Sequence, residues 1–300
     1  MKTKTLMNAA MMLALYLVFL MLNNLVAMPM LMAIMLPLPI IIFSVMSKRI
    51  SEILMLFIGC LIGAYFVASL FGVFTTLIYG LSGMALGISL VKERPYWQRL
   101  FNGALVYVIG LPLLTRLLTG MNMSTMLSET IQESITMAQA LIPTADFTAA
   151  AANLNFVLNQ SLPTMLLLAG LLSAFLSDKL ASFMLKRLKI NTIPAPKWEN
   201  YQLGVVLAVI YMVAQLLYGR LPSAGVNLIL INVALILNFL FAVQGFVIVR
   251  LFFQSRLKNR LGVVVPLVML IGGLSMMLSM LGVMDAAFNY RKRFLARTGL

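Results

Sequence analysis

Apolar and polar positions divide the chain into long apolar runs separated by short polar breaks. Runs of membrane-crossing length recur from one end to the other, and about 20 consecutive apolar residues suffice for a transmembrane helix. The first run covers about 6–22 and pauses at Asn23-Asn24. The second, about 28–46, carries Pro29, Pro37 and Pro39, so a broken or kinked helix is expected. The third and fourth, about 52–69 and 71–91, are joined with almost no loop and end at "KERPYWQR", where Tyr96 and Trp97 read as interfacial anchors. A fifth run, about 100–118, contains Pro112 and ends at Arg116. Further runs fall at about 162–178, 203–219, 227–250 and 262–284, the last with Gly272-Gly273 near its middle.

The stretch between the fifth and sixth runs differs in character. Residues 117–178 contain no Lys or Arg but do contain Glu129, Glu133, Asp146 and Asp178, which predicts an extracellular segment at about 119–160. Within it Leu127, Ile131, Ile135, Ala138 and Ile142 recur at helical spacing until Pro143, the pattern of a surface helix. A second short helix is expected after Thr144, acting as N-cap, through Ala149–Ala152.

Composition agrees with the pattern. Hydrophobic residues make up 62 % of the chain and charged ones only 10 %, against about 25 % charged in soluble domains. The net charge of +14 lies mostly in short clusters between apolar runs: Lys2/Lys4, Lys48/Arg49, Lys92/Arg94/Arg99, Lys179/Lys186/Arg187/Lys189 and Arg256/Lys258/Arg260. Juxtamembrane clusters reflect the positive-inside bias, not nucleic-acid binding, and they place the N-terminus in the cytoplasm. The basic start is followed by no small-residue cleavage signature, so a retained first span is expected. Nine full spans would then place "NYRKRFLAR" outside, against the charge rule. Either the last run turns back at its glycine pair, or an earlier run is not a full span, or the rule fails here.

Several chemistries lack their residues. No G-x-x-x-x-G-K-[ST] phosphate loop occurs. The single Cys60 rules out a disulfide within the chain, and without histidine the usual zinc and transition-metal sites cannot be built. The methionines of "MPMLM" and "MNMSTM" read as filler of irregular apolar gaps. None of the eight acidic residues falls mid-run, as a carboxylate-driven carrier would require. Neither an enzyme nor a bound cofactor is expected.

Small residues and neutral polar groups remain. Gly59-x-x-x-Gly63, Gly83-x-x-x-Gly87 and Gly170-x-x-x-Ala174 suit close helix packing. Tyr211, Gln215 and Tyr218 share one face of the seventh run, and the eighth carries Asn227, Asn232, Asn238 and Gln244. Such groups serve either as interhelical hydrogen bonds or as the lining of a ligand pocket.

The C-terminal half carries a resemblance. "PAPKW", "LPSAGVNLILINVALILNFLFAVQGFVIV" and the closing "LGVMDAAFNYRKR", with Gly282, Asp285 and Arg291 as its most specific positions, resemble the YybS-like family of bacterial membrane proteins. The first six runs resemble the substrate-binding S component of energy-coupling factor transporters. In that family an Ala-x-x-x-Ala face on the first helix packs against the coupling subunit, and Ala10-Met11-Met12-Leu13-Ala14 matches it in residue type and spacing. S components have about six spans, so residues 200–300 are additional.

The sequence reads as an all-α polytopic protein of a bacterial cytoplasmic membrane with about eight or nine transmembrane helices. A six-span S-component-like core covers 1–190, and a two- or three-helix C-terminal part covers 191–300. The leading expectation is a small-molecule-binding subunit without its own ATPase. Its unidentified ligand would meet Asn23, Asn24, Tyr79 and Asn102, and a coupling subunit and ATPase would dock at Ala10 and Ala14. The alternative is a scaffold or regulatory subunit of another membrane complex.

Overall fold

The computed structural model describes residues 3–25, 34–142, 147–190, 201–257 and 275–292. The described residues form α1 (Thr3–Leu25), α2 (Leu38–Ser47), α3 (Ile50–Val91), α4 (Tyr96–Thr119), α5 (Met123–Leu141), α6 (Thr148–Arg187), α7 (Val205–Leu217), α8 (Ala224–Leu257) and α9 (Ser275–Phe288), with no strand among them. Five of these, α1, α3, α4, α6 and α8, are long and apolar enough to cross a membrane, and α2, α7 and α9 are shorter apolar helices. The protein is all-helical and polytopic.

Helix α3 is two antiparallel arms, as the nearly loop-free junction of the third and fourth runs implies. Ala68 (φ −142°, ψ 23°) and Ser69 (φ 52°, ψ −147°) leave helical geometry, and beyond them the chain turns back. A Cβ on Gly80 would lie 2.7 Å from the Phe57 ring, whereas 23 residues of straight helix would separate them by about 34 Å. The arms, 50–67 and 70–91, are about 27 and 33 Å long, each close to the thickness of a hydrocarbon core. Tyr65, Phe66 and Phe71 are exposed beside the bend, where an aromatic belt would lie.

The chain divides into two compact units. The first comprises Met1–Asn155 and Met165–Ala195, the second Phe156–Thr164 and Pro196–Leu300. In the first, α1 buries Met12, Tyr16 and Leu20, spaced four apart, and its Leu13 and Leu17 meet Gly59 and Gly63 on the first arm of α3. Gly83 and Gly87 on the second arm admit Pro37, which precedes α2, and Ser44 of α2, and Gly170 meets the Ala104 backbone of α4. All three small-residue motifs lie at crossings inside the unit.

These pairings fix which helix ends lie together. Leu13 opposite Gly59 and Leu17 opposite Gly63 place the C-terminus of α1 at the α3 bend. Leu86 and Ala174 beside Gly103 bring the end of α4 to the bend and the end of α6 to the opposite pole. That opposite pole therefore gathers Lys4, Lys48, Arg49, Lys92, Arg94, Lys186, Arg187 and Lys189, while Arg116 lies at the bend end.

Two expectations are corrected here. The short helix foreseen after Thr144 is not separate: α6 runs unbroken from Thr148 through Pro163 to Arg187, and at about 60 Å it is twice the length of a membrane span. Thr144 itself lies outside the described residues, as do Gly272 and Gly273. Arg99 does not belong with the solvated cluster of Lys92 and Arg94, since it is only 1 % exposed. On α5, Ile131 is buried and Leu127, Ile135 and Ala138 are half-buried, while most of the rest of the helix is exposed, as its apolar period implies.

Candidate functional site

Each unit is built around a buried Arg–Asp pair. In the first, the Arg99 guanidinium on the opening turn of α4 faces Asp178 on α6: Nη2 donates to Oδ2 at 2.9 Å, and Nε stands 2.9 Å from Oδ1 without forming a second hydrogen bond. Both side chains are almost fully buried, at 1 % and 0 % exposure, and Arg99 also lies 5.1 Å from the centre of the Tyr96 ring. A guanidinium carries a diffuse, weakly hydrated charge, which makes arginine suited to such burial. The pair joins α4 to α6 near the basic pole.

Above it runs a polar seam in the same unit. Asn102 donates to the Ser89 hydroxyl at 3.1 Å, and Ser82 donates to the Gly103 carbonyl at 3.2 Å. Tyr107 and Ser173 hydroxyls are 2.9 Å apart, and the Tyr79 ring sits edge-on to Tyr107 with centroids 5.9 Å apart. Neutral hydroxyls and amides pairing across helices satisfy one another where no water reaches. Tyr16, fully buried on α1, turns its hydroxyl toward that of Thr76 on α3.

The four residues expected to hold a ligand are not gathered in one place. Asn102 is engaged with Ser89, and Tyr79 lies ten residues, about 15 Å, further along the same arm of α3. Asn23 and Asn24, half-buried and exposed, stand at the C-terminal end of α1 beside the bend. The four follow the length of the bundle.

In the second unit, Gln244, Asp285 and Arg291 form one network. The Leu203 N–H donates to Gln244 Oε1 at 2.8 Å, and Gln244 Nε2 donates to Asp285 Oδ2 at 2.8 Å. Asp285 Oδ1 accepts the Arg291 backbone N–H at 2.9 Å, while Arg291 Nη2 is 3.3 Å from Oδ2 and Nη1 donates to the Tyr201 carbonyl. Burial pushes the Tyr201 phenol up to about 12 against the opposing pull of Arg291, so it stays a neutral donor, reaching the Leu240 carbonyl. Gly282 lies one turn before Asp285, where α9 crosses α8 against the Phe241 backbone.

Most of the other polar positions expected in this unit are paired as well. Tyr211 donates to Asn238 Oδ1 at 3.0 Å, with Gln215 Nε2 3.4 Å from the Tyr211 hydroxyl, and Tyr218 caps α7 half-buried. Asn232 accepts from Thr164 and donates to the Gln160 carbonyl at 3.1 Å, tying α8 to the middle of α6. Tyr211, Asn238 and Asn232 are committed to helix–helix contacts, whereas Gln215 is exposed and bonds within α7.

Ala10 and Ala14 face outward. Both are exposed, in a stripe with Met7, Met11, Val18 and Met21, on the side of α1 away from Met12, Tyr16 and Leu20. Ala14 also borders an open groove of about 590 Å³ between α1, α2 and the end of α6. Among the described residues no group of three or more His, Cys, Asp or Glu could hold a metal.

The buried pair Arg99–Asp178 is the feature that sequence reasoning missed. Its partners are 79 residues apart, and Arg99 sits in what reads as a basic loop. Asp178, the acid closing an apolar run just before a basic strip, was the available signal.

Comparison with curated proteins and with solved structures finds no match. A family model described as "Predicted membrane protein (DUF2232)" matches residues 13–286, nearly the whole chain, from α1 to the Gly282–Asp285 stretch of α9. With that extent of agreement, and a polytopic helical fold to go with it, the chain belongs to the DUF2232 family of membrane proteins.

Proposed function

We propose that this protein is a non-catalytic scaffold or regulatory subunit of a membrane protein complex, docking on its partner through the outward face of α1 at Ala10 and Ala14. The observation that carries the reading is the direction of that face. Two alanines four apart give a helix a flat surface that lets another backbone approach closely, an advantage only against another helix. No crossing within the unit uses them, because α1 packs inward through Met12, Leu13, Tyr16, Leu17 and Leu20. The basic pole would lie in the cytoplasm of a bacterial cell, which puts the N-terminus there too.

A substrate-binding transporter subunit, served by a separate coupling subunit and ATPase, would dock through the same face. That second reading needs a cavity for its small molecule, and Asn23, Asn24, Tyr79 and Asn102 are spread along the bundle instead. The scaffold reading is therefore preferred.

The test is a mild-detergent pull-down of the tagged protein from its native host, wild type against the double variant Ala10→Trp/Ala14→Trp. A membrane partner that copurifies with wild type and is lost from the variant supports docking. The same partners in both samples would return the face to lipid. Copurified coupling and ATPase subunits, lost in the variant, would replace the scaffold with the transporter.

A further inference from the structure

We infer that the groove between α1, α2 and the end of α6 is a binding site for an anionic phospholipid, seating an acyl chain along its walls and the phosphate at Arg187. The groove measures about 590 Å³, within the range of about 300–1,000 Å³ typical of small-ligand sites, and nine of its ten lining residues are apolar. Met11, Ala14 and Val18 of α1 form one wall, Ile42 of α2 the floor, and Phe183 of α6 the other wall. The tenth residue is Arg187.

Its setting gives the groove a polarity. Arg187 is exposed, has no acidic partner among the described residues, and holds its guanidinium 4.5 Å over the Phe183 ring. Stacking on that ring restricts a flexible side chain and leaves its N–H groups free to point outward, ready for a phosphate. Lys186 and Lys189 flank it in sequence, and Lys4, Lys48 and Arg49 gather at the same pole. Among the described residues, the same end of the unit carries no exposed acid except Glu93. An apolar trough ending in a cluster of unneutralised cations matches a lipid with two chains and a negative headgroup better than a zwitterionic one.

The site shares Met11, Ala14 and Val18 with the outward face of α1, but each surface has a residue of its own. Ala10 does not line the groove, and Arg187 is not on α1. Loss of a partner in Ala10→Trp alone, with the groove intact, and loss of phosphatidylglycerol in Arg187→Gln, with α1 intact, therefore test the two proposals separately.

The experiment is native mass spectrometry of the full-length protein in mild detergent. Dioleoyl phosphatidylglycerol and dioleoyl phosphatidylcholine serve as probes. Wild type should retain phosphatidylglycerol in preference. Arg187→Gln should weaken that lipid about fivefold, the effect of one interfacial cation, and leave phosphatidylcholine unchanged. Ala14→Trp, which fills the trough, should weaken both lipids, and Ala10→Trp neither. Glycerol phosphate, the headgroup without chains, should not displace bound lipid. Arg187 is exposed, so its variants should melt like wild type without lipid, and Arg187→Lys should restore most of the preference. Equal retention of the two lipids by wild type, or undiminished phosphatidylglycerol binding by Arg187→Gln, would overturn the proposal. Displacement by glycerol phosphate would equally remove the acyl-chain seat.

Discussion

Arg99 and Asp178 show how one pair of residues holds two helices that are far apart in sequence. Removing two charges from water costs several kcal/mol each, and the cost is recovered only when each charge meets the other in good geometry. The hydrogen bond from Nη2 to Oδ2 at 2.9 Å meets that condition, and Nε, 2.9 Å from Oδ1 but not aligned for a second bond, adds close charge contact. Truncating one partner leaves the other as an uncompensated buried charge, so Arg99→Met and Asp178→Leu should each lower stability by about 3–5 kcal/mol. The double variant should cost far less than the sum of the two, because no orphaned charge remains. Denaturation in detergent micelles measures all three, and simple additivity would show that the two charges do not depend on each other. The sequence displayed both residues but not their pairing. Charge clustering groups Arg99 with Lys92 and Arg94, and only the crossing of α4 with α6 brings it to Asp178. Where a polar residue stands within an apolar run, as with Gln244 or Asn238, the choice between a bond and a ligand also waits for the neighbouring helix.

At the scale of elements, small residues decide how closely helices approach, and this level was the most legible. The spacing of Gly59 and Gly63, of Gly83 and Gly87, and of Gly170 and Ala174 marks faces that lack side-chain bulk, and each is used at a crossing. Legibility failed where polar residues continue a helix: Asn153, Asn155, Asn159 and Gln160 separate two apolar stretches in the sequence but lie inside α6, so a surface helix and a span merge into one. The tightest approach, between α8 and α9, escapes the four-residue motif because its two glycines are on different helices. A Cβ on Gly245 would fall on the Leu278 carbonyl, and one on Gly282 on the Phe241 carbonyl. Backbone cannot move aside as a side-chain tip can. Gly245→Ala and Gly282→Ala should therefore each separate the helices at a cost of about 1–3 kcal/mol or more. Separation would also strain the Gln244–Asp285 bond that spans the same crossing at 2.8 Å. Gly225→Ala, at the exposed start of α8 with nothing within 4 Å, should be neutral or stabilise by up to about 1 kcal/mol. Thermal melts of the three variants in one detergent make the comparison, and similar behaviour at all three sites would deny the close crossing.

For the whole molecule, the consequence with the widest reach is the reversal of α3 at Ala68 and Ser69. If the 42 residues formed one straight rod of about 63 Å, Ser69 would lie deep in the bilayer and the basic clusters before and after α3 would face opposite sides. With two antiparallel arms, Lys48-Arg49 and Lys92-Arg94 share a side, and Ser69 emerges at the other among exposed Tyr65, Phe66 and Phe71. Single cysteines distinguish the two arrangements, and native Cys60 is fully buried, so wild type supplies an unlabelled background. Ser69→Cys and Gln132→Cys, both exposed positions at the bend end, should react with a membrane-impermeant maleimide added to intact cells. Glu93→Cys and Lys189→Cys, exposed at the basic pole, should react only after the cells are opened. Protection of Ser69→Cys in both states would mean that α3 crosses once, and the reverse pattern at all four sites would invert the molecule against the positive-inside bias. The expected pattern would place the basic pole, and with it Arg187 and the first turns of α1, at the cytoplasmic leaflet. There anionic headgroups attract clustered lysine and arginine at about 1 kcal/mol per charge, an attraction that holds only within a Debye length of the surface. The reversal therefore fixes which leaflet can supply the lipid for the groove.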